Sequence, residues 1–236
     1  MEMEQIYSEI CVGMQYIMAK NVMDEMNIRG IDYAIVKGLP LAYYKTGRIG
    51  TRISNDIDIL TYRQDVTKIE EILLYYDFKC VHQLKRRERI MLISHSHQVP
   101  PYNKKMGKLF SQIDINFDLF WGEYVGKRID VAEFIGDTVE MEICGCRIRT
   151  LPLLKTMVQL ILHHYKEMNS LYHLVDNIAI KKRFFEDVYL LIQRFPKEIS
   201  VEKLYEACRQ YVLCQEYIIF VMRWRNSMIS GKYLRK

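Results

Sequence analysis

Asp56 and Asp58 are separated by one apolar residue and followed by Ile59 and Leu60. In a strand, residues i and i+2 face the same way, so the two carboxylates stand side by side with Ile57 and Ile59 buried behind them. Acids that close repel each other unless a cation sits between them or one holds a proton. A hard, oxygen-ligated ion such as Mg²⁺ resolves the conflict and commonly brings a phosphate with it. Upstream, Lys37-Gly38 follows the short apolar run Tyr33 to Val36 and precedes a helix-like segment. A glycine there lets the backbone approach a phosphate closely. An Asp-x-Asp pair alone is more often a solvated strand edge than a metal site. This pair lies inside an apolar run and follows a strand, glycine and helix, which shifts the balance toward a site.

That order of elements resembles the core of the DNA polymerase β-like nucleotidyltransferase superfamily: strand, glycine turn, helix, then hydrophobic-Asp-hydrophobic-Asp-hydrophobic. Val36-Lys37-Gly38, with Arg52-Ile53-Ser54-Asn55-Asp56-Ile57-Asp58-Ile59-Leu60 behind it, is similar to the bacterial group of uncharacterised nucleotidyltransferase family proteins. The group carries a Lys-Gly turn and then an Arg shortly ahead of the Asp-x-Asp strand. The similarity runs from Tyr33 to Ile192. Gly38 and Asp56 are eighteen residues apart, longer than in minimal aminoglycoside-type enzymes but suited to this group. Pro40 falls near the helix start, where its missing N–H is tolerated.

The resemblance implies a third carboxylate on a neighbouring strand. Gln112-Ile113-Asp114-Ile115-Asn116-Phe117-Asp118 alternates polar and apolar residues, the pattern of a strand with one buried face. Asp114, Asn116 and Asp118 then share a face. Asp114 aligns with the family's third acid, Asn116 stands where a His is usual, and Asp118 reads as a solvated strand residue. The implied catalytic and metal-binding trio is Asp56, Asp58 and Asp114, holding Mg²⁺ in a two-metal site with an NTP as donor. Lys37, Gly38, Arg52, Ser54 and Asn55 are the implied nucleotide contacts, though basic residues in loops are usually just solvated. The implied reaction transfers an NMP, AMP foremost, to a hydroxyl of an unidentified small-molecule acceptor. Two rivals stand beside it: a transferase acting on tRNA or protein, and a non-catalytic nucleotide-binding or antitoxin-like partner of the same fold. The complete acid trio argues against the second.

Half of the 236 residues are apolar, including 17 Tyr and 9 Phe, so the chain can bury a core and is not disordered. No run approaches the ~20 apolar residues needed to span a bilayer. The acidic, amphipathic start MEMEQIYSEI is unlike a signal peptide. The six cysteines show no zinc spacing and read as reduced thiols, so a cytoplasmic location without membrane attachment is expected. The net charge of +5 includes basic clusters at Lys85-Arg86-Arg87, Lys181-Lys182-Arg183 and the tail, without the continuous stripe of a nucleic-acid-binding module.

The expected class is α/β (α+β): a mixed sheet flanked by helices, then a helical C-terminal half. Helices are predicted at about 3–27, 38–46 and 65–77, and strands at about 32–36 and 56–61, from apolar periodicity. Further strand-like runs fall at 78–84, 89–96, 109–119 and 139–149, the last folded at Gly145. The boundary near 150 separates a catalytic domain, 1–150, from a helical domain, 151–236, which the resemblance implies holds the acceptor. Helical spacing there covers 153–167, 183–194, 201–213 and 215–228. His163-His164 and Asp187 lie in this half. Adjacent helical residues point about 100° apart, so the histidine pair is a poor zinc site, and a core role is favoured.

Overall fold

In the first part of the chain a short apolar strand precedes the Lys37-Gly38 turn and its helix, and a second one carries Asp58. In the computed structural model, which describes residues 2–51, 54, 56–119, 129–169 and 182–210, helix α1 (Glu2–Ile28) leads into β1 (Tyr33–Val36), α2 (Gly38–Thr46) and β2 (Ile57–Thr61). Then come α3 (Val66–Tyr75), β3 (Lys79–Cys80), α4 (Arg86–His95), and the hairpin of β4 (Tyr102–Met106) with β5 (Leu109–Asn116). A short α5 (Val131–Ile135) precedes a second hairpin, β6 (Val139–Ile143) and β7 (Cys146–Thr150). The remaining described helices are α6 (Leu153–Asn169), α7 (Lys182–Arg194) and α8 (Val201–Gln210).

The strands form one seven-stranded mixed sheet in the order β3-β4-β5-β2-β1-β7-β6. β2 is antiparallel to β1 and parallel to β5, and β1 is parallel to β7. All five residues of β2 and all four of β1 are buried, as expected of strands covered on both faces. Val12, Tyr16, Ala19, Val22, Met23 and Met26 of α1 join Val66, Ile69, Ile72 and Leu73 of α3 and the sheet's Ile35, Ile57, Ile59, Ile113 and Ile115 in one core. Each such side chain contributes about 1.5–3 kcal/mol of burial. Helix α1 thus packs across the sheet, mainly against β5 and β7.

The chain divides into two compact units, Met1–Pro152 and Leu153–Lys236. Among the described residues no helix is long and apolar enough to cross a membrane, and the described cysteines are free thiols.

Two expectations are corrected. The run at 89–96 is helical, not a strand. Glu88 reaches back to accept from the Lys85 amide at 2.7 Å, which closes the first turn. Arg89, Leu92 and Ile93 then share a helix face, with Leu92 and Ile93 packed against the core. Strand β5 also stops at Asn116, so Asp118 does not share the strand face of Asp114. Its carboxylate instead accepts from the Leu119 amide at 2.7 Å. The expected hairpin at Gly145 is present, with Cys144 at φ 54° and Gly145 at φ 70° between the two strands.

Candidate active site

The register of the two central parallel strands sets Asp58 directly opposite Asp114. Paired residues on neighbouring strands lie on one face of the sheet. Asp58 is only 8% exposed. Lys37 donates to its Oδ1 at 3.1 Å, and the Asn116 amide reaches the same oxygen at 3.4 Å. The Asn116 Nδ2 also lies 3.4 Å from the carbonyls of Ile59 and Asp114. Asn116 thus braces the two acid strands and brings no titratable group.

Asp114 is held by Gln112, whose Nε2 donates to Oδ1 at 3.0 Å. Burial, above all, and then the charge of Asp58 push its carboxyl up to about 6. The Gln112 hydrogen bond opposes this, Asp56 adds to it, and Lys37 opposes it. A carboxyl poised near neutrality suits proton transfer.

Asp56 lies just ahead of β2, partly exposed. Ser54 donates to its Oδ1 at 2.9 Å and to its backbone carbonyl at 3.1 Å. Gly38 opens α2 at φ +38°, and a Cβ there would stand 3.3 Å from the Ser54 hydroxyl oxygen. Glycine is thus required by both backbone conformation and space. Lys37 before it also has positive φ, 60°, a strained setting for a side-chain-bearing residue. The turn, Ser54 and Asp56 form one continuous chain of contacts.

Tyr16 was not singled out from the sequence. It is a fully buried α1 residue whose phenol is pushed far up by burial, then by the charges of Asp58 and Asp56, while a Leu39 backbone hydrogen bond opposes the shift. Its hydroxyl couples α1 to the first turn of α2. Neither Tyr16 nor Gln112 had a detectable signal, since helical and strand patterns mark them as ordinary core and surface positions.

Of the expected site residues, Lys37, Gly38, Ser54, Asp56, Asp58 and Asp114 are linked to one another by these contacts and charges. Arg52 and Asn55 lie outside the described residues. In the second unit, His164 is 1% exposed, stacked on Phe184 at 3.8 Å and edge-on to Phe185 at 5.4 Å. His163 Nε2 lies 3.4 Å from Glu167 Oε1, and Asp187 is fully buried. His164 and Asp187 are core groups of that unit.

Among the described residues no group of three or more His, Cys, Asp or Glu side chains is disposed to hold a metal ion. The donor set still suits Mg²⁺ in kind, because all three acids offer hard oxygens. The raised pKa of Asp114 comes first from burial and then from the neighbouring Asp58 carboxylate, and a bound cation opposes both. Lys37 supplies part of that positive charge in this structure.

Residues 13–221 match the family described as uncharacterised nucleotidyltransferase. An antigenic nucleotidyltransferase-like protein from Paracoccidioides brasiliensis is 15% identical, with a TM-score of 0.50 over 93% of this chain and 92% of that one. ANT(2'')-Ia in complex with adenylyl-2''-tobramycin is 15% identical, with a TM-score of 0.48 over 84% and 97%. The lincosamide antibiotic adenylyltransferase LnuA, lincomycin-bound, is 15% identical, with a TM-score of 0.40 over 72% and 91%. No curated protein matches the chain. The likeness to the Paracoccidioides protein shows a shared fold, and the family match spans most of the sequence. The chain belongs to the uncharacterised nucleotidyltransferase family and is a nucleotidyltransferase.

Proposed function

We propose that the protein transfers an NMP from an NTP, ATP being the first donor to test, to a hydroxyl of a small molecule. The observation that carries this reading is the pairing of Asp58 with Asp114 across two parallel strands, beside the Gly38 turn. The acceptor oxygen forms the new bond to the α-phosphorus, the bond to the bridging oxygen breaks, and pyrophosphate leaves with its electron pair. Gln112 occupies Oδ1 of Asp114, so Oδ2 is the atom that takes the hydroxyl proton. Lys37 shields Asp58 before substrate arrives and turns to the triphosphate when it does. Ser54 fixes the Asp56 carboxylate toward the turn. Asp56, Asp58 and Asp114 would hold Mg²⁺, whose chemistry is to neutralise charge developing on the phosphates.

In this reading the segment 1–150 carries the chemistry in the cytoplasm, and 151–236 is a separate helical domain. The test uses ATP labelled at the α- or the γ-phosphate, incubated with enzyme and a pool of small hydroxylated metabolites. Transfer of the α label alone, with pyrophosphate released, is expected. Transfer of the γ label would mean phosphoryl transfer and would sink the proposal.

A further inference from the structure

Helix α1 is apolar on two opposite faces. Val12, Tyr16, Ala19, Val22, Met23 and Met26 form the buried face, and the elements packed against the helix are β5, β7 and α3. On the other face Met3, Ile6, Tyr7, Ile10 and Ile17 are each between 46% and 79% exposed. A surface helix ordinarily keeps one apolar stripe and turns polar residues to water, whereas a helix apolar all round is a buried one. The five side chains leave roughly 600 Å² of apolar surface on one helix, the upper end of the largest patch an ordinary monomer carries.

The spacing of the outer face says what covers it. Met3, Tyr7, Ile10, Met14, Ile17 and Asn21 recur at alternating steps of four and three residues, the repeat of a helix that packs along a second helix. The next positions in the series are Asp24 and Ile28. In a parallel pair each seam residue meets its own copy, so Asp24 would face Asp24 inside the interface, two like charges stripped of water. An antiparallel pair with Ile10 level with Met14 of the second copy sets Tyr7 against Ile17 and Met3 against Asn21. Asp24 and Ile28 then lie past the first turn of the other helix, in water. Every contact is made twice, as a two-fold axis requires.

We propose that two copies of this chain pair through the outer faces of their α1 helices, antiparallel, from Met3 to Asn21. The pairing covers roughly 1,200 Å² in total, the lower bound of a specific protein–protein interface, so a dimer of micromolar affinity is expected. Ile57, Ile59, Ile113 and Ile115 join the core that α1 covers, so the alternating Asp58 and Asp114 stand on the opposite face of the sheet. The second copy therefore leaves the acids open. The pairing uses no residue of the transferase site and is independent of the reaction assigned to it.

Sedimentation equilibrium of the full chain under reducing conditions tests this, with wild type, Ile10→Glu and Ile28→Glu compared over a range of concentrations. Ile10 and Ile28 are both exposed, so neither change enters the core, and melts at high dilution verify that each variant folds. Wild type is expected to dimerise. Ile10→Glu should weaken the dimer about 100-fold or more, because it sets two charges in the middle of the seam. Ile28→Glu should match wild type, since residue 28 lies outside the antiparallel overlap. A parallel pair would place it in the seam. Mixing Ile10→Glu with Met14→Lys, each monomeric alone, should restore a dimer, because the new charges face each other only in the antiparallel register. A monomeric wild type, a dimer that survives Ile10→Glu, one lost in Ile28→Glu, or a mixture that stays monomeric overturns the proposal.

Discussion

At the centre of the sheet, β2 is paired on both sides and buried on both faces, and its register alone brings Asp58 against Asp114. At the margin, α4 has no fully buried residue and exposes Ile90 and Met91 beside the Lys85-Arg86-Arg87 cluster. What ties α4 down is largely one buried carboxylate. Glu70 accepts from Arg89 through both guanidinium nitrogens, and from the Tyr102 hydroxyl at 2.9 Å. In one region position is set by backbone pairing, and in the other by a side-chain ion pair. The first holds charges in mutual repulsion because the ladders cannot yield. The second holds a helix whose surface is free to vary.

The sharpest way to break this contrast is Glu70→Ala. It strands Arg89 and Tyr102 and should cost about 3 kcal/mol of stability. A thermal melt should show a drop of many degrees, while calorimetric affinity for NTP at low temperature stays at the wild-type value. Lost affinity with an unchanged melt would reverse the roles assigned to centre and margin. Gly38→Ala comes next, at about 1–2 kcal/mol of backbone strain. Here the two readouts should move together, with NTP affinity falling at least as much as stability.

Asp114→Asn should act in the opposite direction. The carboxyl, ordinarily near 3.8, is held near 6 in the folded state. The folded protein thus binds this proton more tightly than the unfolded chain. The stability it contributes is present below about pH 4 and lost as pH rises through about 6. The Asn variant carries no such penalty and should be more stable than wild type at pH 7, by about 1 kcal/mol given partial exposure. The difference should close below pH 4, as urea melts at several pH values would reveal. A pH-independent difference would mean that Asp114 is not in a repelling cluster. The smallest effect belongs to Met91→Lys on exposed α4, within about 0.5 kcal/mol. A larger shift in chemical denaturation would show that α4 is packed more firmly than its exposure implies.

The centre was legible in sequence because its physics is local. Apolar runs, alternating acids and a glycine at the helix start placed β1, α2 and β2, with α2 at its observed ends. The margin was not. β4 reads Tyr-Asn-Lys-Lys-Met, a largely polar sequence without alternation, and its pairing with β5 across Gly107 is a tertiary fact. The 89–96 run was mistaken for a strand because its branched apolar residues outweighed the Glu88 cap. Within the site, the acids, Lys37, Gly38 and Ser54 were visible by type and spacing. Tyr16 and Gln112 were not, since their contacts depend on which element lies opposite. No periodicity encodes that.

The central claim is that Asp56 and Asp58 make one nucleotide site with the Gly38 turn. The measurement that tests it most directly is calorimetric titration of ATP, GTP, CTP and UTP with Mg²⁺, on wild type and on Asp56→Asn/Asp58→Asn. Mg²⁺-dependent binding of at least one NTP, lost by about 100-fold or more in the double variant while its melting temperature holds, is the predicted result. Absence of NTP binding to wild type, or equal binding by both proteins, would contradict it.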